Sequence, residues 1–248
     1  MKKFVIANWK MNPNTVKVAK VLFDEVVKGL KDVKKAKVVI CPPFVYLPAL
    51  QDLKSNIRLG AQDCFWEDKG SFTGEISLPM LKSFGCKYVI IGHSERRQFL
   101  NETDRMINKK IKAALIKNLR PIFCLGESKK DKDRGKTQTV LKRQLENGLK
   151  KISKSDVKKI IFAYEPLWAI GSGKPCSLDE ANVIRLFIKK VVTQKYFRSI
   201  TNEIKILYGG SVNSSNVKNF IQEAGFQGVL VGGVSLKPKE FIKLVKNI

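Results

Sequence analysis

Histidine occurs once in 248 residues, as His93, and acidic side chains are scarce, 22 against 47 lysines and arginines. A lone histidine, with five cysteines scattered at positions 41, 64, 86, 124 and 176 and no Cys-x-x-Cys pair, leaves no cluster of transition-metal type, so no metal is expected. The odd, dispersed cysteines fit a reducing compartment, and a cytoplasmic protein is expected. Long hydrophobic runs are also missing. The apolar start from Phe4 to Ala7 breaks at Asn8, too short for a secretory signal, and nothing approaches a membrane span. A Gly-x-Gly-x-x-Gly turn after an early strand is absent, which argues against an open doubly wound nucleotide-binding sheet.

The shortage of acids leaves a formal net charge of +25. Such a balance favours an anionic partner: nucleic acid, an acidic membrane surface or a phosphorylated substrate. The lysines are spread in small groups, such as Lys109-Lys110-x-Lys112 and Lys189-Lys190, where helices present solvated faces. No cluster interleaved with stacking aromatics stands out, so a dedicated nucleic-acid surface is not expected. A non-enzymatic anion- or nucleic-acid-binding role of the basic surface stays the alternative reading.

Eight short β-branched or aromatic runs recur along the chain: Phe4 to Ile6, Val38 to Ile40, Ile57 to Leu59, Tyr88 to Ile91, Ile122 to Leu125, Ile160 to Tyr164, Ile206 to Tyr208 and Val229 to Val231. Between them, Val16 to Leu30, Asp104 to Asn118, Thr137 to Lys151 and Leu178 to Gln194 carry apolar residues every three or four positions. Ser177 and Glu180 read as a capping box, and Pro238 suits a first helical turn. Strand and helix alternating to the end imply a parallel sheet with right-handed crossovers. The expected fold is α/β, one (β/α)8 barrel domain over residues 1–248, with its chemistry at the carboxyl ends of the strands.

Those ends are distinctive. Asn8 and Lys10 follow the first run and share the side of Ile6. The fourth run ends in Gly92-His93-Ser94-Glu95, where the start of a helical turn disfavours an imidazolium and would hold His93 neutral. The sixth ends in Glu165, a carboxylate at the edge of an apolar run, where burial raises basicity toward the range useful for a base. From Pro166 to Cys176 the chain has an apolar centre, glycines at its tip and stiff ends. It reads as a lid of Pro166, Trp168, Ile170, Gly173 and Lys174 that excludes water when it closes. The last two runs end in Gly209-Gly210-Ser211 and Gly232-Gly233, where close backbone N–H groups suit a phosphate.

Taken together, Asn8-Trp9-Lys10-Met11-Asn12, Gly60-Ala61-Gln62, Phe72-Thr73-Gly74-Glu75, Gly92-His93-Ser94-Glu95-Arg96-Arg97, the segment Ala163 to Gly171, Tyr208-Gly209-Gly210-Ser211-Val212 and Val231-Gly232-Gly233 resemble, in order and across essentially the whole chain, the motifs of the triosephosphate isomerase family. The resemblance implies a TIM barrel that interconverts dihydroxyacetone phosphate and glyceraldehyde 3-phosphate, in glycolysis and gluconeogenesis, without a cofactor. It carries over the family's known roles residue by residue: Glu165 as the proton-transferring base, His93 as the electrophile and Lys10 as the charge beside the enediolate. Asn8 would orient the oxygens and Glu95 would hold Lys10. Backbone N–H groups of Gly171, Ser211, Gly232 and Gly233 would bind the phosphate. The stretch from Gln62 to Ser77 resembles the family's dimer arm, whose tip at Thr73 inserts near Met11 of a second subunit, so a homodimer is expected.

Two features depart from the pattern. Lys174-Pro175-Cys176 closes the lid where small or β-branched residues are more usual, and a proline there restricts the hinge. The net charge is far above the family's usual value. It predicts steering of a dianionic substrate, read as a kcat/KM that falls with salt beyond ordinary phosphate competition.

Overall fold

A computed structural model describes residues 2–51, 56–169, 175–200 and 202–248. Eight parallel strands close into a barrel in sequence order: β1 (Lys3–Asn8), β2 (Ala36–Cys41), β3 (Arg58–Ala61), β4 (Tyr88–Ile91), β5 (Arg120–Leu125), β6 (Ile161–Tyr164), β7 (Lys205–Tyr208) and β8 (Gly228–Val231). Closure pairs β1 with β8, Phe4 opposite Gly228 and Ala7 opposite Val231. Each expected run overlaps one strand; β1, β5 and β7 begin earlier, at a basic residue, and β3 begins one residue later, at Arg58. Lys3, Arg58, Arg120 and Lys205 open theirs because a charged head at the barrel rim reaches water while its backbone joins the ladder.

Strand alternation sorts the core into two shells. Phe4, Ile6, Val39, Tyr88, Ile122 and Leu207 belong to the cluster that fills the barrel, while their neighbours Val5, Ala7, Val38, Val89, Phe123 and Ile206 face the helices. Helix Val16–Leu30 turns Leu22, Phe23, Val26 and Leu30 inward, a three-to-four spacing, and starts where the Thr15 side chain accepts from the Val18 N–H. Helix Leu178–Tyr196 starts at the expected cap: Ser177 Oγ accepts from the Glu180 N–H at 3.2 Å. Pro238 opens the last helix, Pro238–Lys246. No helix of the described residues is long and apolar enough to cross a membrane.

Candidate active site

Parallel strands bring all eight carboxyl ends to one rim, where Asn8, Lys10, His93, Glu165, Ser211 and Gly232 are among the residues around a cavity of about 420 Å³. The expected strand-end residues therefore meet in one place. At its centre, Glu165 is 2% exposed and takes two donors: His93 Nε2 at 3.1 Å and the Ser94 N–H at 3.2 Å. Gly92, at a φ of +76°, makes the left-handed step that turns the chain from β4 into helix Ser94–Phe99 and aims His93 at the cavity.

Opposing influences act on His93. Burial pulls it toward the neutral ring, but the Glu165 carboxylate 3.1 Å away and Glu95 outweigh that pull and raise its pKa above the ordinary value. The expectation of a ring held neutral by the helix start is thus not met while Glu165 lies against it; the Glu95 N–H does donate to Nδ1 at 3.3 Å, a bond that needs Nδ1 bare and leaves the proton on Nε2. What the sequence could not give was a carboxylate on each side of the ring.

Lys10 is held in the left-handed region at a φ of +55°, rare for a residue with a side chain and typical of sites where the surroundings fix a strained conformation. Three contacts fix it. Its N–H donates to Asn8 Oδ1 at 3.0 Å, its carbonyl accepts from Gln62 Nε2 at 2.8 Å, and its ammonium meets Glu95 Oε1 at 2.5 Å. Its stem crosses Gly232, where a Cβ would lie 3.1 Å from Lys10 Cε. Gln62 also donates to the Cys41 carbonyl at 2.9 Å, tying Lys10 to the end of β2. Gln62 opens the expected arm, and its position one residue past β3 is the sequence signal for this further contact.

The glycine-ended loops after β7 and β8 share the cavity with Lys10. A single 3-10 turn, Gly233–Leu236, follows β8, and the Ser235 hydroxyl donates to the Gly232 carbonyl at 2.6 Å, closing the turn. Gly232, Gly233 and Val234 at its start line the cavity, and free N–H groups at the start of such a turn suit an oxyanion. Gly209 sits against the base itself: a Cβ there would come within 2.8 Å of Glu165 Cγ. Neither Gly209 as a stop for the carboxylate nor Lys237 at the cavity edge was picked out from sequence.

Of the lid residues, Ile170, Gly171, Gly173 and Lys174 lie outside the described residues. Pro166 and Trp168 are described, and the turn Leu167–Ala169 begins three residues past the end of β6. Trp168 Nε1 donates to Glu127 Oε1 at 2.8 Å, and the Tyr164 hydroxyl donates to the same oxygen at 3.1 Å. Burial raises the pKa of Glu127 against the opposing pull of these donors. Glu127 follows β5 by two residues, much as Glu165 follows β6, a strand-end signal that the sequence reading passed over. At the far end of the lid the Cys176 N–H donates to the Tyr208 hydroxyl at 3.0 Å. Pro175 beside it is exposed.

The expected arm is ordered around a stack of Phe65 on Trp66 at 4.1 Å, and Phe65 N–H donates to the Ile76 carbonyl at 2.8 Å. Its tip, Thr73, is exposed, and Met11 is 91% exposed. Among the described residues, no three His, Cys, Asp or Glu side chains form a group that could hold a metal.

Comparison with known proteins agrees in one direction. The family model described as triosephosphate isomerase matches residues 3–248. A triosephosphate isomerase of Dictyoglomus thermophilum is 44% identical over 248 residues, covering 99% of each chain. One from Clostridium botulinum (strain Okra / Type B1) is 47% identical over 248 residues with the same coverage.

Proposed function

The chain belongs to the triosephosphate isomerase family and interconverts dihydroxyacetone phosphate and glyceraldehyde 3-phosphate through an enediol, and from that premise we propose how its own residues divide the work. Glu165 takes a proton from the carbon next to the carbonyl and returns it to the neighbouring carbon. His93 donates from Nε2 to the carbonyl oxygen and carries protons between the two oxygens. Lys10 sets positive charge beside the developing enediolate, and Asn8 and Glu95 keep it there. Ser211, Gly232 and Gly233, with Gly171 of the lid, take the phosphate on backbone N–H groups, so that binding energy far from the reacting carbons stabilises the closed state.

One observation carries this reading: a carboxylate 2% exposed stands 3.1 Å from the chain's one imidazole, both on a cavity shared with Lys10. In the arrangement described, both Glu165 oxygens are occupied by donors, so the side chain must turn away from Ser94 and His93 to reach a substrate carbon. That turn removes the main influence favouring imidazolium, so that burial, which favours the neutral ring suited to an electrophile, is opposed by Glu95 without Glu165. A coupled isomerisation assay of the protein beside Glu165→Gln tests the assignment. A kcat loss on the order of 10²- to 10⁴-fold is expected for removing a general base; equal rates would overturn it.

The working unit is a homodimer in the cytoplasm. Met11, Val45 and Phe72 leave apolar surface exposed beside the strand-one loop and the arm, which suits burial against a second copy's Thr73 tip and would brace Lys10 through Met11. The five cysteines, all free and buried, fit a reducing compartment. Thr73→Glu, which places a charge at that contact, is expected to shift sedimentation from dimer to monomer and to lower kcat. A variant that stays dimeric with full kcat refutes the arm's role.

A further inference from the structure

The closed barrel has a second mouth, at the amino ends of its strands, and its lining is basic. Lys37, Arg120 and Lys205 precede Val39, Ile122 and Leu207 by two residues, so strand alternation puts them in line with the side chains that fill the barrel. Phe4 and Tyr88, edge to face at 6.4 Å, form the floor beneath them. The Lys37 ammonium lies 5.5 Å from the centre of the Phe4 ring and the Arg120 guanidinium 5.8 Å, so both cations converge on one aromatic ring. Lys205 is near enough for burial, then the Arg120 and Lys37 charges, to lower its pKa against the opposing effect of Glu203. Beside them opens a cavity of about 470 Å³ lined by Lys2, Lys34, Lys37, Asn56, Arg58 and Tyr88.

These cations lack acidic partners among the described residues, although Arg120 donates to the Lys159 carbonyl at 3.2 Å and Lys205 to the Glu203 carbonyl at 2.9 Å. Among the described residues, Lys34, Lys37, Arg58, Arg120 and Lys205 form no ion pair, whereas lysines near an acid do, as Lys159 does with Asp156 at 2.8 Å. Glu203, the carboxylate that acts on Lys205, is engaged by Lys158 at 2.7 Å. Cations held together over a low-dielectric floor repel one another, and an anion with several charges relieves that repulsion in one binding event. A single phosphate would answer at most two of them.

We propose that this amino-terminal mouth is a binding site for a small polyphosphate anion, separate from the catalytic cavity at the opposite end of the barrel. Lys37 and Arg58 engage the anion from β2 and β3, with Lys2 and Lys34 closing the cavity's outer side. Arg's planar fork suits bidentate contact with a phosphate, and lysine supplies a mobile point charge. The shared chemistry is a chain of phosphates, which a free inorganic polyphosphate and a nucleoside triphosphate both offer.

The test is calorimetric titration with tripolyphosphate, the catalytic cavity being saturated with triose phosphate. Wild-type protein is expected to bind one equivalent, more weakly as salt rises. Lys37→Gln/Arg58→Gln, in which both heads are exposed and neither makes a described hydrogen bond, is expected to lose about tenfold in affinity with isomerase activity intact. Lys129→Gln/Lys142→Gln, which removes the same charge elsewhere, is expected to stay within about twofold. Tripolyphosphate should also shield Lys37 and Lys205 from amine acetylation more than Lys129. ATP in the same titration separates the two sources: tighter binding than tripolyphosphate assigns the site to a nucleotide, equal binding to the free polyphosphate, and both support it. No binding by the wild type, equal weakening in both double variants, or acetylation shielding by single-stranded DNA but none by tripolyphosphate would overturn the proposal.

Discussion

Gly209→Ala should damage catalysis without touching a reacting group. A methyl at this position lies 2.8 Å from Glu165 Cγ and 3.2 Å from the Tyr164 carbonyl oxygen. The second contact is with backbone that is anchored, since the Gly209 N–H donates to that same carbonyl at 2.7 Å, so the carboxylate side chain is the one that moves. Relaxing 2.8 Å to an ordinary carbon contact near 3.5 Å requires a shift of roughly 0.7 Å. Since a misplacement of about 1 Å can lower a rate about 10²-fold, a kcat loss of about 10- to 100-fold is expected. In activation free energy that is about 1.4–2.8 kcal/mol. KM should change little, because Ser211, Gly232 and Gly233 keep their backbone. The coupled isomerisation assay reads both constants. Gly233→Ala, whose methyl meets nothing within 4 Å, is the control for folding and should act on KM through the phosphate loop. A Gly209→Ala enzyme with kcat within twofold of wild type would refute the idea that this glycine sets the position of the base.

Because His93 is the chain's one histidine, its ring resonances report a single site. Its pKa should lie above the ordinary value in the free wild type and fall in Glu165→Gln, where the principal raising influence is gone; an unchanged titration would contradict the electrostatic account. The sign for stability follows: a group whose folded pKa is raised contributes stability that is full below its unfolded pKa and lost as pH rises through the folded one. Lys110, 2% exposed, holds Asp63 at 2.8 Å and also pairs with Glu102; Lys110→Met leaves those carboxylates without it and should lower unfolding free energy by about 3–5 kcal/mol in urea. A loss below 1 kcal/mol would show that Arg96, 2.8 Å from Asp63, suffices alone. Pro175→Thr should loosen the lid's second hinge, changing turnover and raising leakage to methylglyoxal while the His93 titration stays put. Unchanged turnover and leakage would dismiss the hinge.

The barrel was legible because its signals are local and repeated. Eight apolar runs each found a strand, and Val16 to Leu30 matched its helix to the residue. Strand starts were harder to read. Lys3, Arg120 and Lys205 look like loop residues until a closed barrel gives them a rim where the backbone is paired and the charge is wet. At the catalytic end, Asn8, Lys10, His93 and Glu165 were identified by position, since each stands where a strand stops. Gln62, Glu127 and Gly209 are silent in sequence for a different reason: they act on another residue's backbone or side chain at a nearby strand end. Gln62 reaches Lys10, Glu127 reaches Trp168, and Gly209 limits Glu165. Such pairings depend on register between strands far apart in sequence, which no single stretch of residues encodes.

Tyr208 ends β7 with its ring stacked 3.9 Å from Phe220, and its hydroxyl takes the N–H at the lid's far end. The next residue is Gly209, the stop against which Glu165 rests. The anchor of the proposed lid and the stop of the base are therefore adjacent residues where β7 ends, like two fittings on a single beam. Under the proposed lid, the bond that anchors its far end and the residue that limits the base therefore share one mechanical part.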